Sequence, residues 1–394
     1  MASSLIGKVI KIGDSKYKVM KEIDKGSSST IYEGYLDKDR SAVAIKHMSF
    51  NISQTEIYES YVKEVAILEE IESHHNVIKL IDKKAAVSHG KMDVILIFEF
   101  CIQSLARIID SRKKKHENGL PEQFILKILF DISKGLSYMH QREPPIIHRD
   151  VRIRNILLGS DGNYKICNFG NSTKNTFSAV TQENFSRVQS DILNNTRETH
   201  RAPEQLDLHS TYPINEKVDV WALAVVLYSM MFFRMPFSKV DKSNQIEGIV
   251  SFPQTKKYSV QLQRLCKKLF EPNPKKRPSM SEIYRCVESL QTKANVTNVQ
   301  RQVSKGGFSD FEEDKNDDNS SDDDLQKYKT AQDTLIDDND AFKNIKRVGA
   351  IEGSDKDFTG FATKMSASLS KNGTKGWVLY ATENSSFPPQ IQYI

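Results

Sequence analysis

The spacing of apolar residues changes near Pro121, and this change constrains the fold more than any other feature of the chain. Upstream lie short segments in which apolar and polar residues alternate between turn-forming residues, as is typical of β-strands: 17–22, 30–35 and 43–48. Downstream, apolar residues recur at three- and four-residue spacing along 124–139, and 221–233 is apolar on all sides. Both patterns predict helices, the second one buried. The sequence therefore predicts an α+β fold in which a small β-rich part precedes a larger helical part.

The remaining regular segments fit the same division. Within the first part, 54–72 has the spacing of an amphipathic helix, and 77–81 and 94–98 are apolar runs of strand length. Within the second part, helices are predicted at 259–270 and 279–292.

Charge is unevenly distributed along the 394 residues, whose formal net charge is +5. Residues 1–295 contain 44 Lys and Arg against 34 Asp and Glu, whereas 309–340 contain 3 basic and 13 acidic residues. A segment that repels itself and has few apolar residues to bury is typically disordered. We therefore predict an acidic and polar disordered tail over 293–394. The basic excess of the first part is diffuse and has no stripe with interleaved aromatic residues, which argues against nucleic acid as a partner.

The cellular compartment is indicated by cysteine usage and by apolar run length. The four cysteines are far apart and have no paired spacing, so they indicate neither a zinc site nor a disulfide framework. The first residues do not form a charged leader followed by an apolar run, so no secretory signal is predicted. The run 221–233 is too short to cross a bilayer. We expect a cytoplasmic protein without a transmembrane segment, at most peripheral to a membrane.

Three short motifs carry chemistry, and they occur in a fixed order. The segment Val43-Ala44-Ile45-Lys46 comes first, His148-Arg149-Asp150 with Asn155 five residues after the aspartate comes second, and Cys167-Asn168-Phe169-Gly170 comes third. In this order and spacing they resemble the lysine strand, the catalytic loop and the metal-binding segment of eukaryotic protein kinases. Residues 144–150 and 167–172 are most similar to the Numb-associated kinases of the adaptor-associated and cyclin-G-associated type.

This resemblance implies a two-lobed protein kinase fold with the domain at 17–292. The small β-rich lobe would be 17–100 and the helical lobe 101–292, with an N-terminal extension at 1–16. The implied activity is transfer of the ATP γ-phosphate to protein Ser/Thr, with Mg²⁺ as the metal. The Numb-associated group phosphorylates endocytic adaptors, so the resemblance also implies trafficking proteins as substrates and a location at endocytic membranes.

The resemblance assigns residues to the nucleotide. Lys46 would contact the α- and β-phosphates, and Glu64 on the predicted helix would aim it. The adenine edge would meet the backbone from Glu99 to Cys101, with Phe98 closing the pocket behind it.

The phosphate loop departs from the family pattern of three glycines. The matching positions are Asp24, Gly26 and Ser29, so only the central glycine is retained. Ser27, Ser28 and Ser29 can supply hydroxyl or amide donors to phosphates, but each Cβ restricts the backbone. We therefore expect a weakened nucleotide affinity.

The resemblance also assigns the catalytic loop. Asp150 would accept or orient the proton of the substrate hydroxyl, and Asn155 would bind a metal ion through its amide oxygen. Arg152 stands where the family has a lysine that contacts the transferred phosphoryl group. Arg149 would pair with a phosphate on the activation segment, and His148 is expected to have a structural role.

Two departures weaken the expectation of activity. Asn168 replaces the aspartate that binds metal, and an amide oxygen is a weaker Mg²⁺ ligand than a carboxylate; a metal more tolerant of neutral ligands, such as Mn²⁺, is an alternative. Arg197 stands where the family has a threonine that bonds the catalytic aspartate, with Thr196 one residue away. Two hypotheses therefore remain open: a weakened Ser/Thr kinase, or a nucleotide-binding pseudokinase scaffold that recruits partners through its tail.

The supporting residues of the family are retained. Glu204 is expected to pair with Arg277, and Asp219 to bond the backbone of the catalytic loop. In the tail, the segment Asp340-Ala341-Phe342 resembles short peptides that bind clathrin-adaptor appendages. Ser320 and Ser321 precede an acidic run, which is either a site for an acidic-directed kinase or a plain solvated acidic stretch.

Overall fold

The first part of the chain forms a six-stranded antiparallel sheet with one helix. A computed structural model describes residues 4–26, 29–71, 73–178, 180–210, 212–238, 242–305, 377–380 and 390–393. The strands are β1 (Val9–Ile12), β2 (Ser15–Lys25), β3 (Thr30–Leu36), β4 (Ala42–Asn51), β5 (Leu80–Ser88) and β6 (Lys91–Glu99). Helix α1 (Thr55–Ile71) follows β4, and the strand order is β1-β2-β3-β4-β6-β5. All five neighbouring pairs are antiparallel.

The structure differs from the expected boundaries at two places in this lobe. Strand β1 lies within the segment 1–16, which we expected to be an extension, yet it pairs with β2 and buries Ile10 to 7% exposure. Ile10 packs in a cluster with Tyr17 and Val19 on one face of the sheet. The segment 77–81 is not a strand throughout, because β5 begins only at Leu80 and Val77 makes a single bridge to Ile166.

The second part is mainly helical. A small antiparallel sheet of β7 (Cys101–Ser104), β8 (Ile156–Gly159) and β9 (Tyr164–Ile166) lies in this part. The helices are α2 (Leu105–Lys114), α3 (Glu122–His140), α4 (Phe185–Asn195), α5 (Pro203–Leu206), α6 (Lys217–Phe232), α7 (Lys242–Glu247), α8 (Val260–Leu269) and α9 (Met280–Lys305). The α+β fold with a β-rich lobe before a helical lobe is confirmed.

Helix α6 forms the centre of the helical lobe. It contains the run that is apolar on all sides, and its residues from Val218 to Met231 are buried. Because no face of this helix is polar, neighbouring elements can cover every side of it. Asp219, near the beginning of the helix, is the charged residue of this buried run, and its carboxylate bonds the catalytic loop.

The C-terminal segment contains regular structure that we did not expect. Helix α9 continues to Lys305, past the expected end of the domain at 292. Strands β10 (Trp377–Tyr380) and β11 (Gln390–Tyr393) pair as an antiparallel hairpin. The segment with Asp340-Ala341-Phe342, together with Ser320 and Ser321, lies outside the described residues. Across the described ranges, no helix combines the length and apolar character needed to cross a membrane.

Candidate active site

Lys46 and Glu64 form an ion pair between the sheet and helix α1. The Nζ atom of Lys46 lies 2.7 Å from Oε1 and 2.6 Å from Oε2 of Glu64. The Lys46 side chain is 13% exposed and that of Glu64 is 4% exposed. Removing one partner of such a sheltered pair leaves an uncompensated charge, so each holds the other in place. The pairing that the motif predicted between these two residues is present.

The loop that would face the phosphates connects β2 to β3. The N–H of Gly26 donates to the carbonyl oxygen of Ser29 over 2.8 Å, which closes the turn. A Cβ added at Gly26 would approach no atom closer than 3.5 Å, so space does not require glycine there. Ser27 and Ser28 lie outside the described residues, and their role as phosphate donors stays a prediction.

The expected adenine-binding segment joins β6 to β7. The Glu99 carboxylate accepts from the N–H of Lys79 over 2.8 Å and lies 3.2 Å from Lys165 Nζ, so its side chain is fixed by neighbours within the chain. Phe98 is buried at the end of β6. Burial raises the pKa of the Cys101 thiol well above its usual value. A raised pKa favours the neutral thiol, and the backbone groups of this segment are the candidates for nucleotide binding.

Asp219 fixes the backbone of the catalytic loop. Its two carboxylate oxygens accept the N–H groups of His148 and Arg149, each over 2.8 Å, and His140 Nε2 lies 2.9 Å from Oδ2. Burial alone would raise the pKa of Asp219, but the hydrogen bond and charge of His140, together with the contribution of His148, outweigh it, so the pKa is lowered. Arg149 adopts φ 63°, in the left-handed region. The hydrogen bonds that Asp219 accepts from the backbone hold the loop in this conformation.

His148 has the geometry of a structural residue. Its Nδ1 accepts the N–H of Asp150 over 3.2 Å, and Nε2 lies 3.1 Å from the carbonyl oxygen of Cys167. Since Nδ1 accepts, Nε2 carries the proton and donates a hydrogen bond to the carbonyl oxygen of Cys167. Burial lowers the pKa of His148, which keeps the ring neutral. The ring also meets Phe169 edge to face at 5.0 Å between centroids.

The carboxylate of Asp150 is held by side chains from two segments. Its Oδ2 accepts from Nδ2 of Asn155 over 2.7 Å and from Nδ2 of Asn168 over 3.1 Å. Its Oδ1 lies 3.0 Å from Arg152 Nε, but neither atom makes a hydrogen bond, so this contact is an ion pair only. The structure thus brings together the four residues that the resemblance assigned to phosphoryl transfer and metal binding in this part of the chain: Asp150, Arg152, Asn155 and Asn168.

These donors determine which cation the site suits. Because the amide nitrogens of Asn155 and Asn168 face Asp150, their oxygens are the atoms left for a cation. Neutral amide oxygens are weak Mg²⁺ ligands, so a Mg²⁺ ion held by Asn155 and Asn168 would take most of its ligands from the nucleotide phosphates and water. Elsewhere in the described part of the chain, no cluster of three or more His, Cys, Asp or Glu could hold a metal.

Arg149 binds a carboxylate, where we expected a phosphate. Its Nη1 is paired with Oδ2 of Asp191, and its Nε donates to the carbonyl oxygen of Asn171 over 2.6 Å. Asp191 lies on α4, a helix that the motifs did not predict. Asp191 supplies the negative charge that the resemblance assigned to a phosphorylated residue.

The departure at Arg197 is also visible in the structure. Arg197 is exposed, and the neighbouring Thr196 donates to the carbonyl oxygen of Ile192 over 2.6 Å and accepts from Arg201 Nε over 2.9 Å. Thr196 therefore caps α4 and does not bond Asp150. No hydroxyl of this segment takes over the contact that the family makes at this position.

The expected supporting pair is present. Arg277 donates from Nη1 and Nη2 to the two oxygens of Glu204 over 2.8 Å and 2.9 Å, and both side chains are fully buried. Parallel bonds of this kind fix the orientation of both groups. The anchor at the end of the activation segment is therefore intact.

Comparison with known proteins agrees with this geometry. The sequence matches the protein kinase domain over residues 17–287. The chain belongs to the protein kinase family. The kinase domain is also similar to actin-regulating kinase PRK1 of Saccharomyces cerevisiae, 29% identical over 73% of this chain and 36% of that protein. Actin-regulating kinase 1 of the same yeast is 27% identical over 73% of this chain and 46% of that protein.

A third relative is a probable serine/threonine-protein kinase of Dictyostelium discoideum, 30% identical over 70% of this chain and 24% of that protein. The aligned part of this chain therefore covers between about a quarter and a half of the length of each relative. The similarity concerns the kinase domain.

The sequence did not reveal Asp191, which pairs with Arg149, or His140, which bonds Asp219. The signal for α4 was weak, because only Val188 and Ile192 of this short helix are buried. A spacing of four residues between two apolar positions does not distinguish a helix from a loop. His140 is the last residue of α3, and only the tertiary contact with Asp219 reveals its role.

Proposed function

We propose that this protein is a serine/threonine kinase that transfers the ATP γ-phosphate to protein substrates. The observation that supports this best is the arrangement of two anchored groups, the Lys46–Glu64 pair and the Asp150 carboxylate. An ion pair of this kind positions a polyphosphate, and a fixed carboxylate receives the proton of the attacking hydroxyl. The named serine/threonine kinase among the relatives supports the same assignment.

Each residue has a proposed role in the reaction. Lys46 binds the α- and β-phosphates and offsets their charge, while Glu64 orients it. Asp150 orients the substrate hydroxyl and accepts its proton, and Arg152 lies beside it as the cation for the transferred group. Asn155 and Asn168 would hold Mg²⁺, which when bound supplies positive charge to the phosphates. The backbone of Glu99 and Cys101, and the loop from Gly26 to Ser29, would contain the rest of the nucleotide.

The proposed substrates are proteins of trafficking or of the actin cytoskeleton. The motifs at 144–150 and 167–172 are similar to Numb-associated kinases, whose substrates are endocytic adaptors. Two relatives are named actin-regulating kinases. The proposed site of action is the cytoplasm and the endocytic membrane surface, with Asp340-Ala341-Phe342 as a candidate adaptor-binding peptide.

The test is phosphoryl transfer by the full chain. With ATP and Mg²⁺ or Mn²⁺, we expect phosphate on Ser and Thr of adaptor and actin-regulatory proteins, detected by mass spectrometry. Asp150→Asn should lower the rate about 10²-fold or more, since general-base positioning typically contributes about 10²–10⁴. Asp110→Asn, an exposed change on α2, is the matched control and should keep the rate. Equal rates in the native protein and Asp150→Asn would exclude the assignment.

A nucleotide-binding scaffold is the alternative function. Asn168 supplies an amide where catalysis normally uses a carboxylate, and Thr196 does not contact Asp150. This alternative predicts that ATP raises the melting temperature while no phosphate transfer occurs with either metal. Ligand binding to the folded state must raise the melting temperature, so a thermal-shift titration beside the transfer assay distinguishes the two functions.

A further inference from the structure

Asn155 and Asn168 donate to the same oxygen of Asp150, although they come from different segments. Their Nδ2 atoms lie 2.7 Å and 3.1 Å from Asp150 Oδ2. Arg152 Nε lies 3.0 Å from the other oxygen. Asp150 is only 4% exposed, so water contributes little to its solvation. The charge of this carboxylate is therefore compensated by amides and a cation of the chain itself.

A carboxylate at position 168 would reverse the interaction. Two carboxylates about 3 Å apart cannot both be ionised unless a cation lies between them. The Asn168 amide replaces this repulsion with a hydrogen bond. Asn168 has φ 71°, a conformation that Asn adopts more readily than most residues. The N–H of Cys167 donates to the carbonyl oxygen of Asn155 over 3.0 Å, which ties the two segments together.

We propose that Asn168 is a positioning residue that holds the Asp150 carboxylate without a metal ion, so that nucleotide binds with little dependence on Mg²⁺. The proposal rests on nucleotide binding as part of the proposed function, but it does not require phosphoryl transfer. Lys46, fixed by Glu64, supplies the cation for the phosphates. Mg²⁺ is then not needed to separate two acidic side chains.

The first test measures the melting temperature of the full chain without nucleotide, in EDTA and in Mg²⁺. We expect Asn168→Asp to melt about 3 °C or more below the native protein in EDTA, on the usual scale for domains of this size. Mg²⁺ should restore the stability of this variant and leave the native protein unchanged. Asn168→Ala removes the hydrogen bond without adding charge, so it should melt lower in both conditions without a response to Mg²⁺.

The second test measures ATP binding by the same variants. The rise in melting temperature with ATP should be similar in EDTA and in Mg²⁺ for the native protein. For Asn168→Asp, removal of Mg²⁺ should weaken ATP affinity about tenfold or more, since an added negative charge in the proposed nucleotide site repels the anionic phosphates. Asn244→Asp, an exposed change on α7, is the control for added charge and should behave as the native protein.

Each outcome has one meaning. If Asn168→Asp is as stable as the native protein in EDTA, or if Mg²⁺ raises the stability of Asn168→Ala as much as that of Asn168→Asp, Asn168 does not position Asp150. If the native protein binds ATP only with Mg²⁺, metal independence is wrong. Metal-independent ATP binding without phosphate transfer would leave this proposal standing and refute only the kinase activity.

Discussion

At the scale of single residues, the kinase domain retains its buried ion pairs. Glu204 and Arg277 bond through both oxygens and two nitrogens, and Arg277 also donates to the carbonyl oxygens of Glu271 and Lys217 over 2.8 Å each. The guanidinium lies 5.2 Å from the ring centroid of Trp221. One side chain therefore connects the end of the activation segment to the core helix α6.

Replacing Arg277 with Ala should destabilise the protein strongly. The change leaves Glu204 charged, buried and without its partner, which costs about 3–5 kcal/mol of unfolding free energy. The measurement is thermal unfolding of the full chain, with Arg264→Ala on the exposed face of α8 as the control. A melting temperature equal to that of the control would show that the pair contributes little.

At the scale of elements, helix α4 supplies the negatively charged partner of Arg149 that we expected a phosphorylated residue to supply. Asp191 on this helix pairs with Arg149, and Asn195 Nδ2 donates to the same carboxylate over 3.0 Å. Because Arg149 adjoins Asp150, this contact connects the activation segment to the catalytic loop. Because the carboxylate of Asp191 is part of the helix, the connection does not require phosphorylation.

Replacing Asp191 with Asn should loosen this connection while keeping the size of the side chain. Arg149 would lose a charged partner, which costs about 1–3 kcal/mol. We expect faster proteolytic cleavage within the activation segment and a lower melting temperature. Asn194→Ala, on the exposed side of the same helix, controls for changes in helix stability. Phosphatase treatment should not reproduce the effect; if it does, a phosphate contributes to holding the segment.

At the scale of the whole molecule, the β-rich lobe begins earlier than the family motifs indicate. The match to the kinase domain begins at residue 17, whereas β1 pairs with β2 from Val9 onward. Ile10 is buried in the small cluster on that face of the sheet, and the partly buried Leu5 and Ile12 pack against it. Leu5, Ile10 and Ile12 therefore pack with the sheet of the β-rich lobe.

Replacing Ile10 with Ala should lower the unfolding free energy by about 2 kcal/mol, the low end for such a change in a core, since this cluster is small. The nearby Ile6 is 51% exposed, so Ile6→Ala is a matched control expected to change stability by less than about 0.5 kcal/mol. Denaturant unfolding of both variants measures the difference. Equal values would show that β1 adds little to the lobe.

The sequence by itself determined the longer strands and helices, because the period of apolar residues sets which backbone geometry buries them. The predicted strands at 30–35 and 94–98 and the helix at 124–139 lie within β3, β6 and α3. The motifs also identified residues that come together at Asp150, because short motifs fix local spacing that folding preserves.

Only the tertiary structure decided which groups compensate the charges of those residues. The partner of Arg149 lies 42 residues away, and Asn168 donates to Asp150 across 18 residues. Such contacts depend on how distant segments pack, and the sequence does not encode them in any local spacing. For the same reason, the motif indicated only that Asn168 replaces a metal-binding aspartate. The tertiary structure shows that its side chain donates a hydrogen bond to the carboxylate of Asp150.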